Sequence, residues 1–171
     1  MRADFLELYD HEYHRVVRFM MRLGASLHEA EDAAQEAFLA AWRRVGRQPQ
    51  HGETIHDFPV WIRIVARNHY RRPTTAKQQP PLPMAEIPQP RPAADGHDNL
   101  TARTLDVLAG LRELDDEAQT VMALHMDGYT SSEIALHLGI IEQKVRDARK
   151  RARKQLAVRL GITAPPRRPN S

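Results

Sequence analysis

From residue 5 the large apolar side chains fall at intervals of three and four: Phe5, Tyr9, Tyr13, Val16, Met20 and Leu23. This is one stripe of an amphipathic helix, and Gly24 ends it. Ser26 with Glu29 spells a capping box. It opens a second helix with an inner face of Ala30, Ala34, Ala37, Phe38, Ala41 and Val45. So many alanines predict a close approach between helices. Residues 46–57, punctuated by Gly46, Pro49 and Gly52, read as a loop. Asp57 and Pro59 then open a third helix that packs Trp61, Ile64 and Val65, and Pro73 closes it.

The pattern resumes with Leu105, Leu108 and Leu111 on a fourth helix. Asp115 caps a fifth, carrying Val121, Met122 and Leu124 and ending at Gly128. Thr130-Ser131-Ser132-Glu133 is a second capping box. It starts a short sixth helix with Ile134, Ala135 and Leu138, stopped by Gly139. A long seventh helix runs from about Glu142 to Leu160. No segment alternates as a strand does. The prediction is an all-α protein.

Composition divides the helices into two groups. Seven of the twelve prolines lie between Pro73 and Pro92, among almost no large apolar residues. Proline removes a backbone donor and disfavours helix in the residue before it, so this stretch reads as an extended tether. The expected organisation is a helical bundle of three or four helices at residues 1–72, a linker at 73–99, a second helical domain at 100–162 and a disordered tail at 163–171.

Charge sharpens the picture. The net charge of the 171-residue chain is only +3. Yet residues 105–139 carry 1 basic and 7 acidic groups, whereas residues 140–171 carry 10 basic and 2 acidic groups. Such asymmetry points to a polyanion-binding surface. A short helix, a tight turn at Gly139 and then a basic helix is the layout of a helix-turn-helix. Ile134, Leu138, Ile140 and Val145 would pack the crossing. The opposite face, crowded with Lys144, Arg146, Arg149, Lys150, Arg151, Arg153 and Lys154, could enter a major groove and meet bases and phosphates.

With no cysteine in the sequence, a disulfide scaffold, a thiolate zinc site and a cysteine nucleophile are excluded. His11 and His14 share a helical face, but a lone His-x-x-His is poor evidence for a metal. There is no His-Glu-x-x-His, no Gly-rich phosphate loop and no Ser-His-Asp arrangement. Neither a cofactor nor an enzymatic activity is expected. The apolar runs are short and interrupted by charge, and Asp4, Glu7, Asp10 and Glu12 do not suit a signal peptide. A soluble cytoplasmic protein is the expectation.

Two stretches carry a family resemblance. Gly128-Tyr129-Thr130-Ser131-Ser132-Glu133-Ile134-Ala135, then Leu138-Gly139-Ile140, Val145 and Arg151-Ala152-Arg153, resemble region 4 of a bacterial sigma factor. Glu29-Ala30-Glu31-Asp32-Ala33-Ala34-Gln35-Glu36-Ala37-Phe38-Leu39-Ala40-Ala41-Trp42 and Trp61-Ile62-Arg63-Ile64-Val65-Ala66-Arg67-Asn68 are similar to region 2. The short chain, without counterparts of regions 1.1 and 3, resembles the extracytoplasmic-function (ECF) group.

The resemblance implies a subunit that directs core RNA polymerase to promoters. Asp32, Gln35, Glu36, Leu39 and Trp42 match the face that docks on the clamp helices of the largest polymerase subunit, and region 4 implies a contact with the flap of the second-largest. His56, Trp61, Arg63, Arg67, Asn68, Tyr70 and Arg71 match the part that opens minus-ten DNA, with Asn68 in a pocket for a flipped base and the loop from His51 to Phe58 as its wall. Trp61 also reads as core, and Tyr70 can either stack a base or close the core. Arg63, Arg67 and Arg71, four apart, would form a basic stripe for the DNA backbone. Glu142, Lys144, Arg146, Asp147, Arg149, Lys150 and Arg153 match the minus-thirty-five-reading helix. An anti-sigma factor is the implied regulator.

The sequence departs from the family at several points. Pro73 cuts the third helix early, Ile141 replaces the usual capping serine, Lys144 replaces a common threonine, and Arg149 stands where an apolar core residue is common. Two alternatives belong to other classes. A stand-alone helix-turn-helix regulator would not need the Asp32–Trp42 face. A pure docking protein would bind neither promoter nor polymerase.

Overall fold

The computed structural model describes residues 2–46, 57–72 and 101–162. The chain divides into two units, residues 1–97 and 98–171. The proline-rich stretch, the loop at 47–56 and the tail after residue 162 lie outside the described residues.

The first unit is built from α1 (Arg2–Arg22), α2 (Leu27–Gly46) and α3 (Phe58–Tyr70), and each helix packs on the other two. The capping box before α2 is present: the Ser26 amide and hydroxyl donate to Glu29 at 2.8 and 2.7 Å. Ala30, Ala34, Ala37 and Ala41 are fully buried, so α2 meets its neighbours nearly backbone to backbone. The remaining space is filled by rings. Tyr9 meets Phe38 edge-on at 4.8 Å, and Phe5 meets Trp42 at 5.0 Å. Each such pair adds about 0.5–1.5 kcal/mol to simple area burial. Burial pushes the Tyr9 phenol far above its ordinary range and raises Tyr13 in the same direction, so both rings stay neutral.

Asp57 caps α3 through a bond from the Val60 amide at 3.4 Å, with Pro59 in the first turn. The cap has φ 80°, a left-handed conformation that aspartate tolerates better than most residues. The buried face of α3 differs from the expectation. Val60, Ile62, Arg63 and Ala66 face inward, while Trp61, Ile64 and Val65 are only half-buried. The helix is wedged between α1 and α2, so two faces are covered, not one.

The second unit contains α4 (Ala102–Arg112), α5 (Asp116–Met126), α6 (Ser131–Leu138) and α7 (Glu142–Arg159). Thr101, Asp115 and Thr130 cap α4, α5 and α6. The Thr130 capping box is reciprocal, and the Thr130 hydroxyl and amide hold the Glu133 carboxyl below its usual pKa. The core comprises Leu111, Val121, Leu124, Ile134, Val145, Ala148 and Ala152. Of the three leucines expected inside on α4, Leu111 is fully buried, Leu108 is half-buried and Leu105 is exposed. Gly110 sets the α4–α7 approach: a Cβ there would lie 2.8 Å from Leu156 Cδ2.

Candidate nucleic-acid interface

The turn between α6 and α7 is made by Gly139 in the left-handed conformation, φ 65°. A residue with a Cβ is strained there, so glycine fixes where α7 starts. The Ile140 amide then bonds back to the Ala135 carbonyl at 3.0 Å. Ile141 occupies the N-cap of α7 without a side-chain cap bond, and the Lys144 amide reaches the Ile141 carbonyl at 3.0 Å. The tight first turn thus partly replaces the missing serine.

Val145, Ala148 and Ala152 hold α7 on the core. Gln143, Lys144, Arg146, Asp147, Lys150, Arg151, Arg153 and Lys154 are exposed. Several of these charges already have partners. Lys144 pairs with Glu117 of α5 at 2.5 Å, Arg146 with Glu142 at 3.2 Å, and the Gln143 amide donates to Asp147 at 3.0 Å.

Arg149 departs from the exposed row. Its guanidinium donates to Ser131 Oγ on α6 at 2.8 Å and to His125 Nε2 on α5 at 3.0 Å. A guanidinium can only donate, so Nε2 is the acceptor and the ring proton sits on Nδ1. Arg149 Nε and His125 Nδ1 are buried without hydrogen-bond partners among the described residues. The half-buried side chain therefore ties α5, α6 and α7 together at the position where an apolar residue is common.

On the first unit, Asp32 and Gln35 are exposed, and Glu36, Leu39 and Trp42 are half-exposed. At 100° per residue they form one stripe, opposite the alanine face of α2. Asp32 lies 3.7 Å from His28, Glu36 lies 3.8 Å from His69 of α3, and Trp42 leans on Phe5.

The outward face of α3 is the run Trp61, Ile64, Asn68 and Arg71 at three- and four-residue spacing. Trp61 packs against Phe58 with the rings tilted by 42° and 5.6 Å apart, and it lies under the Arg44 guanidinium at 5.7 Å. Asn68 is exposed and accepts a long 3.5 Å bond from Arg67. Arg67, Tyr70 and Arg71 are half-buried beside it. His56 lies outside the described residues.

The basic stripe needs one correction. Arg63 is only 2% exposed and donates to Glu12 Oε2 of α1 at 2.8 Å and to the Pro59 carbonyl at 2.6 Å. Its charge is spent inside the bundle, so it cannot reach a phosphate. Arg15 also donates to Glu12, at 3.1 Å.

Residues 8–76 match the family model described as Sigma-70 region 2, and residues 104–156 match the one described as Sigma-70, region 4. The chain is 30% identical over 163 residues to the ECF RNA polymerase sigma factor SigM of Mycobacterium tuberculosis, covering 94% of this chain and 79% of that one. It is 30% identical over 134 residues to the probable RNA polymerase sigma factor RfaY of Xanthomonas campestris pv. campestris. That match covers 72% of this chain but only 32% of the relative, so the chain spans about a third of that protein's length. Its fold is similar to that of the sigma factor RpoE of Bartonella quintana, solved in complex with the anti-sigma factor NepR. The TM-score is 0.69 at 17% identity, covering 94% of this chain and 99% of that one. It is also similar to CnrH, solved in complex with the cytosolic domain of CnrY, with a TM-score of 0.65 at 19% identity over 96% and 92% of the two chains.

Proposed function

The chain belongs to the sigma-70 family of RNA polymerase sigma factors, in its ECF group, and from that premise we propose that it is a dissociable promoter-specificity subunit. It binds core polymerase through the α2 stripe of Asp32, Gln35, Glu36, Leu39 and Trp42. It opens minus-ten DNA on the outward face of α3 and reads minus-thirty-five DNA with α7. Its site of action is the cytoplasm, and no helix among the described residues is long and apolar enough to cross a membrane. It performs no chemistry of its own. Its catalytic partner is core polymerase, and its regulator is an anti-sigma protein of the kind solved with RpoE.

One observation carries the reading: both family regions occur in order in one chain, each on its own helical unit. A stand-alone regulator would account for the helix-turn-helix but not for region 2. The test adds purified protein to core polymerase and maps transcripts from a genomic fragment library. Discrete starts sharing two spaced elements are expected. Duplex binding without any association with core would instead establish the stand-alone regulator.

The α3 face yields a sharper expectation. Extruding a base costs a few kcal/mol, repaid by edge hydrogen bonds and stacking. Asn68→Ala removes an exposed amide from that face without disturbing the core. It should slow promoter opening about tenfold, the worth of one or two hydrogen bonds, and leave closed-complex affinity nearly unchanged. A fluorescent base analogue in the minus-ten element reports the opening step. Equal effects at both steps would contradict a base pocket at Asn68.

A further inference from the structure

The pair Gln143 and Asp147 is absorbed neither by the core nor by the phosphate-contacting charges. With about 3.6 residues per turn, the residues opposite Val145, Ala148 and Ala152 on α7 are Gln143, Asp147, Lys150 and Lys154. An acidic side chain at the centre of a basic surface is stabilised by its cationic neighbours but repels an approaching polyanion, so it weakens DNA binding unless it has a specific task. Its observed partner identifies that task. The Gln143 Nε2 donates to Asp147 Oδ1 at 3.0 Å, one turn along the exposed surface.

A glutamine amide can ordinarily sit either way round, because its oxygen and nitrogen are alike in shape. Here chemistry decides. An ionised carboxylate only accepts, so the amide nitrogen must face Asp147. One amide hydrogen is thereby committed. The second amide hydrogen and the carbonyl oxygen are left for another partner, and when the carboxylate takes the hydrogen trans to the oxygen those two lie side by side. In the major groove, adenine presents an acceptor, N7, beside a donor, the N6 amino group. That edge is the complement of the remaining donor and acceptor. Guanine presents two acceptors there, and the glutamine oxygen would meet one of them. Thymine presents an acceptor and a methyl group, and cytosine a single donor.

Gln143 is the second residue of α7, and the first turns of a recognition helix are the ones that reach base edges. The Arg149 bonds to α5 and α6 fix the rotation of α7 about its own axis, so the outward direction of this pair is set by the fold. We infer that Gln143 is a specificity-determining residue that reads one adenine of the minus-thirty-five element, with Asp147 as the positioning residue that orients its amide. This rests on the sigma-factor reading above and assigns a base to one side chain.

The test uses holoenzyme assembled from the full chain and core polymerase. Duplexes randomised across the minus-thirty-five region are selected for binding. Each adenine of the selected element is then replaced singly by 7-deazaadenine, which lacks N7, or by purine, which lacks the N6 amino group. At one adenine, both analogues should weaken binding by the parent protein by about five- to 150-fold, the range expected when a bidentate pairing with a base is broken. Gln143→Ala should bind the natural duplex more weakly and be indifferent to both analogues at that position. Asp147→Ala should show a reduced analogue penalty while retaining the parent's thermal melting. Both residues are exposed, so folding is not at stake. If Gln143→Ala keeps the parent's penalties, or if the selected element contains no adenine, the inference is overturned. Specific initiation from the selected promoters with no analogue effect would leave the sigma-factor reading intact and remove only this assignment. A protein that fails to bind core removes both.

Discussion

Arg63→Met should destabilise the first unit by about 3–5 kcal/mol, the usual cost of removing one partner from a buried ion pair. Glu12 and Arg63 are 3% and 2% exposed, and they join α1 to α3 across 51 residues of sequence. Without the guanidinium, the Glu12 carboxylate keeps only Arg15 among the described residues, itself half-exposed, and the Pro59 carbonyl loses the Arg63 side-chain donor. A change of this size is a large part of the roughly 5–15 kcal/mol that holds a whole domain. The measurement is urea unfolding followed by tryptophan fluorescence. Both tryptophans, Trp42 and Trp61, lie in the first unit, so the signal is blind to the second. The double variant Glu12→Met with Arg63→Met should recover most of the stability, because an apolar pair of similar volume needs no desolvation of charge. A single variant as stable as the parent would mean that the pair does not hold α3 in place.

The same residue shows where the sequence is legible and where it is not. The helix ends are readable because their signals are local. Ser26 with Glu29, Thr130 with Glu133, Asp57 with Pro59 and Gly139 each act within four residues of themselves. The helix-turn-helix is readable for the same reason, and so is the α2 stripe, because i, i+4 neighbours on a helix share a face. Arg63 is not. Spacing places Arg63, Arg67 and Arg71 in a row, and such a row reads as a solvated basic face. Its partner Glu12 lies on another helix, and no periodicity reports a pairing at that separation. Arg149 escapes a sequence reading for a related reason. Its neighbours on α7 are basic and exposed, whereas its partners, His125 and Ser131, sit on α5 and α6. Lys144 likewise finds Glu117 on α5. The Gln143–Asp147 pair, by contrast, is within reach of the i, i+4 rule, and an acid on a basic helix is the signal that points to it.

If α7 enters the groove as proposed, only some of its cations are placed to meet DNA. Charges engaged by the protein are poorly placed to displace counterions, since each must first break an existing pair. Arg149 is committed to two bonds within the unit. Lys144 and Arg146 are paired with carboxylates. Lys150, Arg151, Arg153 and Lys154 are exposed along the helix and remain the strongest candidates for phosphate binding.

Replacing Lys150, Arg153 and Lys154 together with alanine should therefore weaken binding to the minus-thirty-five duplex by about a hundredfold near physiological salt. The slope of log affinity against log salt should fall by about 0.9 for each phosphate that the variant no longer neutralises. Arg149→Met should behave differently. It removes the donor to Ser131 Oγ and His125 Nε2, so it should also cost about 1–3 kcal/mol of stability in the second unit. Affinity should drop because α7 is no longer tied to α5 and α6, but the slope should stay that of the parent, because the same phosphates are neutralised. Fluorescence anisotropy of a labelled duplex, titrated over a range of salt, separates the two effects. The comparison is decisive because both variants weaken binding and only one changes its salt dependence. A triple variant with the parent's slope would take α7 out of the groove, and an Arg149→Met slope lowered by about 0.9 would return Arg149 to the DNA.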